Sequence, residues 1–424
     1  MCYLEVKNKD NRLRKYSKFS IYLTFFLDNF GTFLIYPIFT PLLLDGSTNF
    51  FKSTSQVVHN TFVLGLLIAA FPLSQFFGAP FIGALSDSIG RKKVFTLTIS
   101  GLTLGYILTA SAILSNSIIL LFLGRVSTGL FAGNQSICLA SLVDMSSSEE
   151  ERTKNFSKIA AVGGLASISS ISIGGIFSDP SFNKYFGPAI PFIIIAGLFF
   201  INLILILLFF VDPIKKYNQL QINPLIGIRN IISTLKLKNL RYAYLIFFFY
   251  MMSWVTATQF FPTLLLTKFH INPKNLPIFF IFLGVIWGLS NFLFSKFLCG
   301  IHPSTTLKFT LSILACNLLL MFFISNTPSY VPATIFYICV AVAALCWSNS
   351  LSLVSLQAES NIQGKALGIN QSFSALGGIF GPIIGGLVAS IDPSAVYSFS
   401  SLLVFASLII LLIFQKGTPL KNNS

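Results

Sequence analysis

Apolar residues run through this chain in long blocks, each closed by a cluster of charged residues or of Pro and Asn, and twelve such blocks can be bounded. In the first half they cover 18 to 44, 61 to 85, 94 to 114, 117 to 142, 157 to 177 and 188 to 211. In the second half they cover 241 to 266, 277 to 299, 307 to 325, 331 to 355, 366 to 390 and 394 to 414. A helix crosses a bilayer with about 20 mostly apolar residues, and each block has about that length. The pattern predicts an all-α polytopic membrane protein with twelve transmembrane helices.

The longest polar interruption, 212 to 240, divides the blocks into two sets of six. The expected organisation is a tail over 1 to 17, a six-helix bundle over 18 to 211, a linker over 212 to 240, a second bundle over 241 to 414 and a tail over 415 to 424. Inside the linker, Leu225, Ile228, Ile231, Ile232 and Leu235 recur at helical spacing beside Arg229, Lys236 and Lys238. That spacing predicts an amphipathic helix on the inner membrane surface, either tying the halves together or regulating them. The halves also repeat. At an offset of 211, Ser141, Leu142 and Val143 fall on Ser352, Leu353 and Val354, and Ile173, Gly174 and Gly175 fall on Ile384, Gly385 and Gly386. Two pseudo-symmetric, parallel six-helix bundles around a site at the membrane midplane suit a transporter that alternates its access.

Composition supports this reading. Of 424 residues, 54% are hydrophobic and only 10% charged, where a soluble protein carries about 25% charged residues. A soluble enzyme, a nucleic-acid-binding domain and a secreted disulfide scaffold are excluded. The net charge of +15 tracks the loops: of 28 Lys and Arg, Lys52, Lys184, Lys268 and Lys274 lie on one side and Arg125 within a span, leaving 23 on the other side. By the positive-inside rule that richer side is the cytoplasm, with both termini in it. The charge therefore needs no nucleic-acid partner.

Other chemistry is sparse. The six Cys show no ligand spacing and read as buried thiols. His59, His270 and His302 sit in or near loops, so neither a metal site nor a buried histidine relay is expected. No Gly-x-x-x-x-Gly-Lys-Ser/Thr loop occurs, so neither ATP use nor a cofactor is expected. The basic, polar residues 1 to 18 lack the apolar core of a cleaved signal peptide.

Two sites stand out. Gly83, Leu85, Asp87, Gly90, Arg91, Lys92 and Lys93 lie across the end of span 2 and the turn into span 3. A glycine at the turn lets the chain reverse and the basic triplet holds the loop inside. Asp87 at the hydrocarbon edge still needs a cation or a helix N-terminus. The second site is Asp28, the one acid placed deep in a span, roughly ten residues or about 15 Å from its start. An ionised carboxylate there is costly, so it must bind a proton or find a cation. Arg125 in span 4 is the intramembrane cation, and arginine does not readily discharge. The pair is either a proton-coupling site or a structural tie between helices 1 and 4. An intramembrane protease would need two facing acids, or a serine with a base, so no enzyme is expected.

With these residues in view, the chain resembles the major facilitator superfamily, and within it the twelve-helix drug/proton antiporters such as the tetracycline efflux pumps. The resemblance rests on the Gly83 to Lys93 signature, on Leu123, Gly124, Arg125 and Gly129 followed by Asp144 and Arg152, and on Leu27, Asp28, Gly31 and Pro37 in span 1. It continues with Asn223, Pro224, Leu225 and Arg229, and with Gly377, Gly381, Pro382, Gly385 and Gly386 in span 11.

The resemblance implies the major facilitator fold and a cytoplasmic latch. In that latch the residue matching Asp87 caps helix 11 near Gly364 to Gly368, and the one matching Arg91 reaches Asp144. It also implies proton coupling at Asp28 and Arg125, and a cavity lined by helices 1, 4, 7 and 10. Candidate liners are Tyr36, Asn134, Gln135, Tyr250, Trp254, Gln259, Trp347 and Asn349, each of which could equally pack against neighbours. Two departures matter. Those pumps carry acids in spans 3 and 9, where this chain has Gly105 beside Tyr106 and no acid, and the antiporter Gly-Pro motif of span 5 has Ile171 at its proline position. Small residues at Ala166, Ser170, Gly174 and Gly175 should still let span 5 pack closely. The expected function is proton-coupled export of small organic or drug-like compounds by a monomer in a bacterial inner membrane. Its rival is proton-driven import of a nutrient such as an amino acid or nucleoside.

Overall fold

The computed structural model describes residues 2–44, 57–146, 149–180, 182–212, 238–272, 275–297, 301–358 and 363–417, and every regular element among them is helical. The helices of the first half are α1 (Cys2–Phe33), α2 (Tyr36–Leu44), α3 (Val57–Ile89), α4 (Arg91–Leu114), α5 (Ile118–Phe131), α6 (Asn134–Asp144), α7 (Glu149–Ser178) and α8 (Ile190–Phe209). Those of the second are α9 (Lys238–Gln259), α10 (Phe261–Thr267), α11 (Leu276–Phe297), α12 (Pro303–Phe323), α13 (Tyr330–Gln357), α14 (Gln363–Ile391) and α15 (Ala395–Gly417). Among the described residues, eleven segments are long and apolar enough to cross a membrane, and α11 supplies a shorter apolar stretch, Ile278–Asn291, where the remaining span is expected. Large apolar side chains such as Leu104, Ile107, Leu114, Phe200, Leu208, Phe309 and Leu402 are exposed, as lipid contact requires and water would penalise. The linker with its expected amphipathic helix lies outside the described residues from 213 to 237.

Three expected single spans are each built from two helices. Span 1 breaks between α1 and α2, just before Pro37, whose ring disfavours helical geometry in the residue ahead of it. Span 4 breaks at Ala132 and Gly133, and span 7 at Phe260, with Pro262 two residues further on at the start of α10. Discontinuous helices are tolerated at membrane depth where protein covers the freed backbone. At the span 4 break it does: the Gln75 Nε2 amide of α3 donates to the Ala132 carbonyl at 3.2 Å.

The chain forms two compact units, Met1–Ile38 with Ser74–Leu225 and Phe39–Leu73 with Ile226–Ser424. In the first, α1 packs on α6, α7 and α8, and α4 packs on α5 and α8. Polar side chains join these helices. Asn202 of α8 donates to Thr24 of α1 at 2.8 Å, Ser170 of α7 donates to the Phe30 carbonyl, and Lys18 pairs with Glu151 at 2.6 Å. In the second unit, α9 packs on α14 and α15, and α12 packs on α13 and α15. Its core holds an aromatic stack in which Trp254 lies against Trp287 and Phe336, with ring centroids 5.4 and 6.2 Å apart, and Phe261 lies on Phe336 at 3.9 Å.

The segment Phe39–Leu73 belongs to the second unit, although the linker alone suggested a division at 212 to 240. The cause is a close helix crossing. A Cβ at Gly65 of α3 would strike the Pro382 carbonyl of α14, and one at Gly386 would come within 3.1 Å of the Thr61 carbonyl and 3.2 Å of the Gly65 Cα. The obstructing atoms are backbone, which cannot turn aside.

The far end of the second unit is tied by one cation. Lys268, just past α10, donates to Ser325 and Ser394 at 3.1 Å each and pairs with Asp392 at 3.6 Å. Partial burial works against ionisation of Asp392. The hydroxyl and amide of Ser394, at 2.6 and 2.9 Å, together with Lys268, outweigh it and hold the carboxyl below its ordinary value.

Gly65→Val should lower the stability of the purified protein by about 1–3 kcal/mol, read as a drop in melting temperature; an unchanged melt would contradict the crossing. Asp392→Asn should be less stable at neutral pH by no more than about 1 kcal/mol, because the pair is partly exposed. A depressed carboxyl stabilises the fold above its unfolded value and loses that effect as pH falls through the folded one. The melting curves of the two proteins should therefore converge on acidification, and a constant gap would contradict the assignment.

Candidate functional site

Asp28 lies midway along the span Tyr16–Leu44 and is 4% exposed. Residues three or four apart share a helix face, so the surroundings of Thr24 and Gly31 locate its side: Thr24 meets Asn202 of α8, and Gly31 lies beneath the Tyr106 ring of α4 and Ile195 of α8. Asp28 is thus turned into its own unit, and it lies within electrostatic reach of Tyr106 and of Cys138 on α6. On the next helical position, Asn29 accepts from Gln135 of α6 at 3.4 Å.

Arg125, on α5, is 3% exposed. The α4–α5 contact is close. A Cβ at Gly105 would lie 2.7 Å from Thr128 Cγ2 and 3.0 Å from its amide nitrogen, and one at Gly124 would lie 3.0 Å from the Gly105 carbonyl. These two glycines let the backbones touch, and the residues directly after them are Tyr106 and Arg125. Tyr106 lies within electrostatic reach of both Asp28 and Arg125, and Arg125 is also within reach of Tyr36. Tyr106 on α4 thus has an acid on α1 and a guanidinium on α5 within electrostatic reach.

At the turn into α4, Gly90 has φ 98°, a left-handed conformation that a side chain would strain. Gly83 has another place: it lies inside α3, and a Cβ there would meet nothing within 4 Å. Arg91 is buried, with Nε donating to Asp144 at 3.2 Å and Nη1 donating to Ser86. The Lys92 amide donates to Asp212 at 3.2 Å, while Lys93 is exposed. The start of α4 is thereby fixed to the ends of α3, α6 and α8. The side chains of Asp87, of Arg152 and of residues 364 to 368 at the start of α14 lie outside what the structure describes.

The candidate cavity liners divide. Asn134 is buried and accepts from Thr98 of α4, and Tyr250 is buried with its hydroxyl donating to the Ala343 carbonyl at 2.7 Å, so both are engaged in packing. Trp254 belongs to the aromatic stack, Gln259 is buried, and Asn349 donates to its own helix at Leu345. Tyr36 and Gln135 are half-buried, and Trp347 is 39% exposed.

The small residues of α14 serve two neighbours. Gly377, Gly381 and Gly385 seat Met252, Thr256 and Phe260 of the α9 span, while Pro382 and Gly386 face α3. In α7, Gly174 lies against Leu34 and Pro37, and Gly175 is buried.

Sequence reasoning overlooked Tyr106, Gln75, Ser86 and Asp212. Gly105 beside Tyr106 read as the loss of an acid, yet an isolated small-aromatic pair next to a mid-span position was the available signal. Asp212, at the end of a span, was read only as the start of a linker.

A family model described as Major Facilitator Superfamily matches residues 21–361. Among relatives, a class H tetracycline resistance protein from Pasteurella multocida is 26% identical over 86% of both chains. The quinolone resistance protein NorA from Staphylococcus aureus strain COL is 24% identical over 85% of this chain and 90% of its own. Among solved structures, a D-xylose-proton symporter superposes with a TM-score of 0.74 over 95% of this chain and 98% of its own at 13% identity. The human organic anion transporter MFSD10 gives 0.67 over 94% and 99% at 19% identity. Those two share the fold. Because the family model spans most of the sequence, this integral membrane protein belongs to the Major Facilitator Superfamily, a family of transporters and not of enzymes.

Proposed function

We propose that this transporter exports small organic, drug-like compounds in exchange for protons, with Asp28 as the proton-binding group and Arg125 biasing its charge state. The observation that carries the reading is the placement of Asp28: mid-span, buried, turned into its unit and sharing Tyr106 with Arg125. Such a carboxyl can exist as COO⁻ or take up one H⁺ to become COOH, and only the second form is cheap to carry through a low-dielectric interior. Arginine keeps its charge, so the exchangeable proton belongs to the acid. Relatives named for resistance to tetracycline and to quinolones support efflux of aromatic, polyfunctional solutes. In the first unit, half-buried Tyr36 and Gln135 offer the kind of aromatic and amide contacts such solutes need.

The helix start at Arg91 acts in this reading as the hub of a cytoplasmic gate that includes Asp87 and Asp144. The protein works as a monomer in a bacterial inner membrane, with both termini inside. A second reading, proton-coupled import of a nutrient, is favoured by Ile171 at the position where antiporters of this type have proline and by the lack of an acid in span 3.

Everted vesicles with an acidic interior should accumulate tetracycline or another member of a drug panel. Asp28→Asn should lower this gradient-driven rate by at least about tenfold while leaving substrate exchange in place. Uptake confined to right-side-out vesicles would favour import, and an Asp28→Asn variant as active as the parent would remove Asp28 from the mechanism. Arg91→Gln should open the gate loop, so that a cysteine introduced at Ser88 is labelled roughly tenfold faster; unchanged labelling would count against the hub.

A further inference from the structure

Tyr106 brings a hydroxyl to the face of α1 that carries Asp28. Its oxygen occupies the space a side chain at Gly31 would fill, and Gly31 lies three residues beyond Asp28 on the same face. Tyr106 is 3% exposed, and its ring stacks on Phe199 of α8, centroids 5.6 Å apart and planes 13° from parallel. The stack fixes the ring and leaves the hydroxyl hydrogen free to turn about the C–O bond. The Gly105–Gly124 crossing joins α4 to α5, and Arg125, the residue after Gly124, lies within electrostatic reach of Tyr106.

We propose that the Tyr106 hydroxyl is a positioning group that links the charge state of Asp28 to Arg125. With Asp28 ionised, the hydroxyl donates to the carboxylate. When Asp28 takes up H⁺, the hydroxyl turns, accepts from the new COOH and presents its donor elsewhere. Tyr106 keeps its own proton throughout, so one H⁺ binds at Asp28 and no other bond changes. The proposal rests on the reading of Asp28 as the proton-binding group. The other titratable groups around it are Arg125 on α5, Tyr36 on α2 and Cys138 on α6. The packed helix α8 has none, and in α7 they extend no further than Lys158.

The test uses the full chain in proteoliposomes, with infrared difference spectra taken between acidic and alkaline pH and with tetracycline transport measured in parallel. Tyr106→Phe removes the hydroxyl and keeps the ring; Phe199→Leu loosens the stack and keeps the hydroxyl. The expected result is that Asp28→Asn abolishes a protonated-carboxyl C=O band. Tyr106→Phe should retain that band displaced to higher frequency, because a hydrogen-bond partner is gone. It should also lower gradient-driven transport about tenfold while exchange stays within about twofold of the parent. Phe199→Leu should leave the band in place. A Tyr106→Phe protein with the parental band and transport overturns the proposal and leaves the reading of Asp28 standing. The same loss from Phe199→Leu as from Tyr106→Phe, or loss of exchange and melting temperature in Tyr106→Phe, assigns Tyr106 to packing and also overturns it. A band that survives Asp28→Asn overturns the reading of Asp28, and the proposal with it.

Discussion

Helices in lipid gain nothing from hiding apolar side chains from one another, since the surrounding acyl chains are just as apolar. They associate where backbones can approach closely and where polar groups find partners, and both conditions hinge on residues without bulk. In this transporter the decisive contacts are made by glycine. Gly105 and Gly124 bring α4 onto α5, Gly31 admits the Tyr106 hydroxyl against α1, and Gly65 with Gly386 brings α3 onto α14. The first two contacts set one phenol within electrostatic reach of one acid and one guanidinium. The third explains why Phe39–Leu73 is part of the second compact unit.

The repeat read in the sequence does not extend to the buried chemistry. The 211-residue offset that aligns α7 with α14 sets Arg125 opposite Phe336, which lies at the centre of the aromatic stack with Trp254 and Phe261. Where the first unit holds a charge that cannot discharge, the second holds stacked rings. The same asymmetry appears at the ends: the hub of the first unit is Arg91 with Asp144 and Ser86, and the tie of the second is Lys268 with Asp392, Ser325 and Ser394.

The helical membrane fold and the turn at Gly90 could be read from the residues, because each depends on local pattern: a run of apolar residues, a glycine at a reversal. The division into sixes read from the linker differs from the compact units, because the crossing at Gly65 joins Phe39–Leu73 to the second. The breaks in spans 1 and 7 had local signals in Pro37 and Pro262. The break at Ala132–Gly133 had a weaker one, and its covering residue, Gln75, is unreadable from sequence since it depends on how α3 lies over α5. Tyr106 was passed over for a related reason. A tyrosine in an apolar run is ordinary, and only the missing side chain at Gly31, 75 residues away, gives its hydroxyl a place beside Asp28. Asn134 and Tyr250 show the converse: polar and aromatic residues on the expected helices proved to be engaged within their own units.

In the proposed mechanism the carboxyl of Asp28 exchanges its proton against substrate. The direct measurement is proton release on ligand binding: tetracycline is added to the purified, unbuffered protein near neutral pH in the presence of a pH indicator. The parent protein should release about one proton per binding event, and Asp28→Asn that still binds the drug should release none. Equal release from both proteins would contradict it.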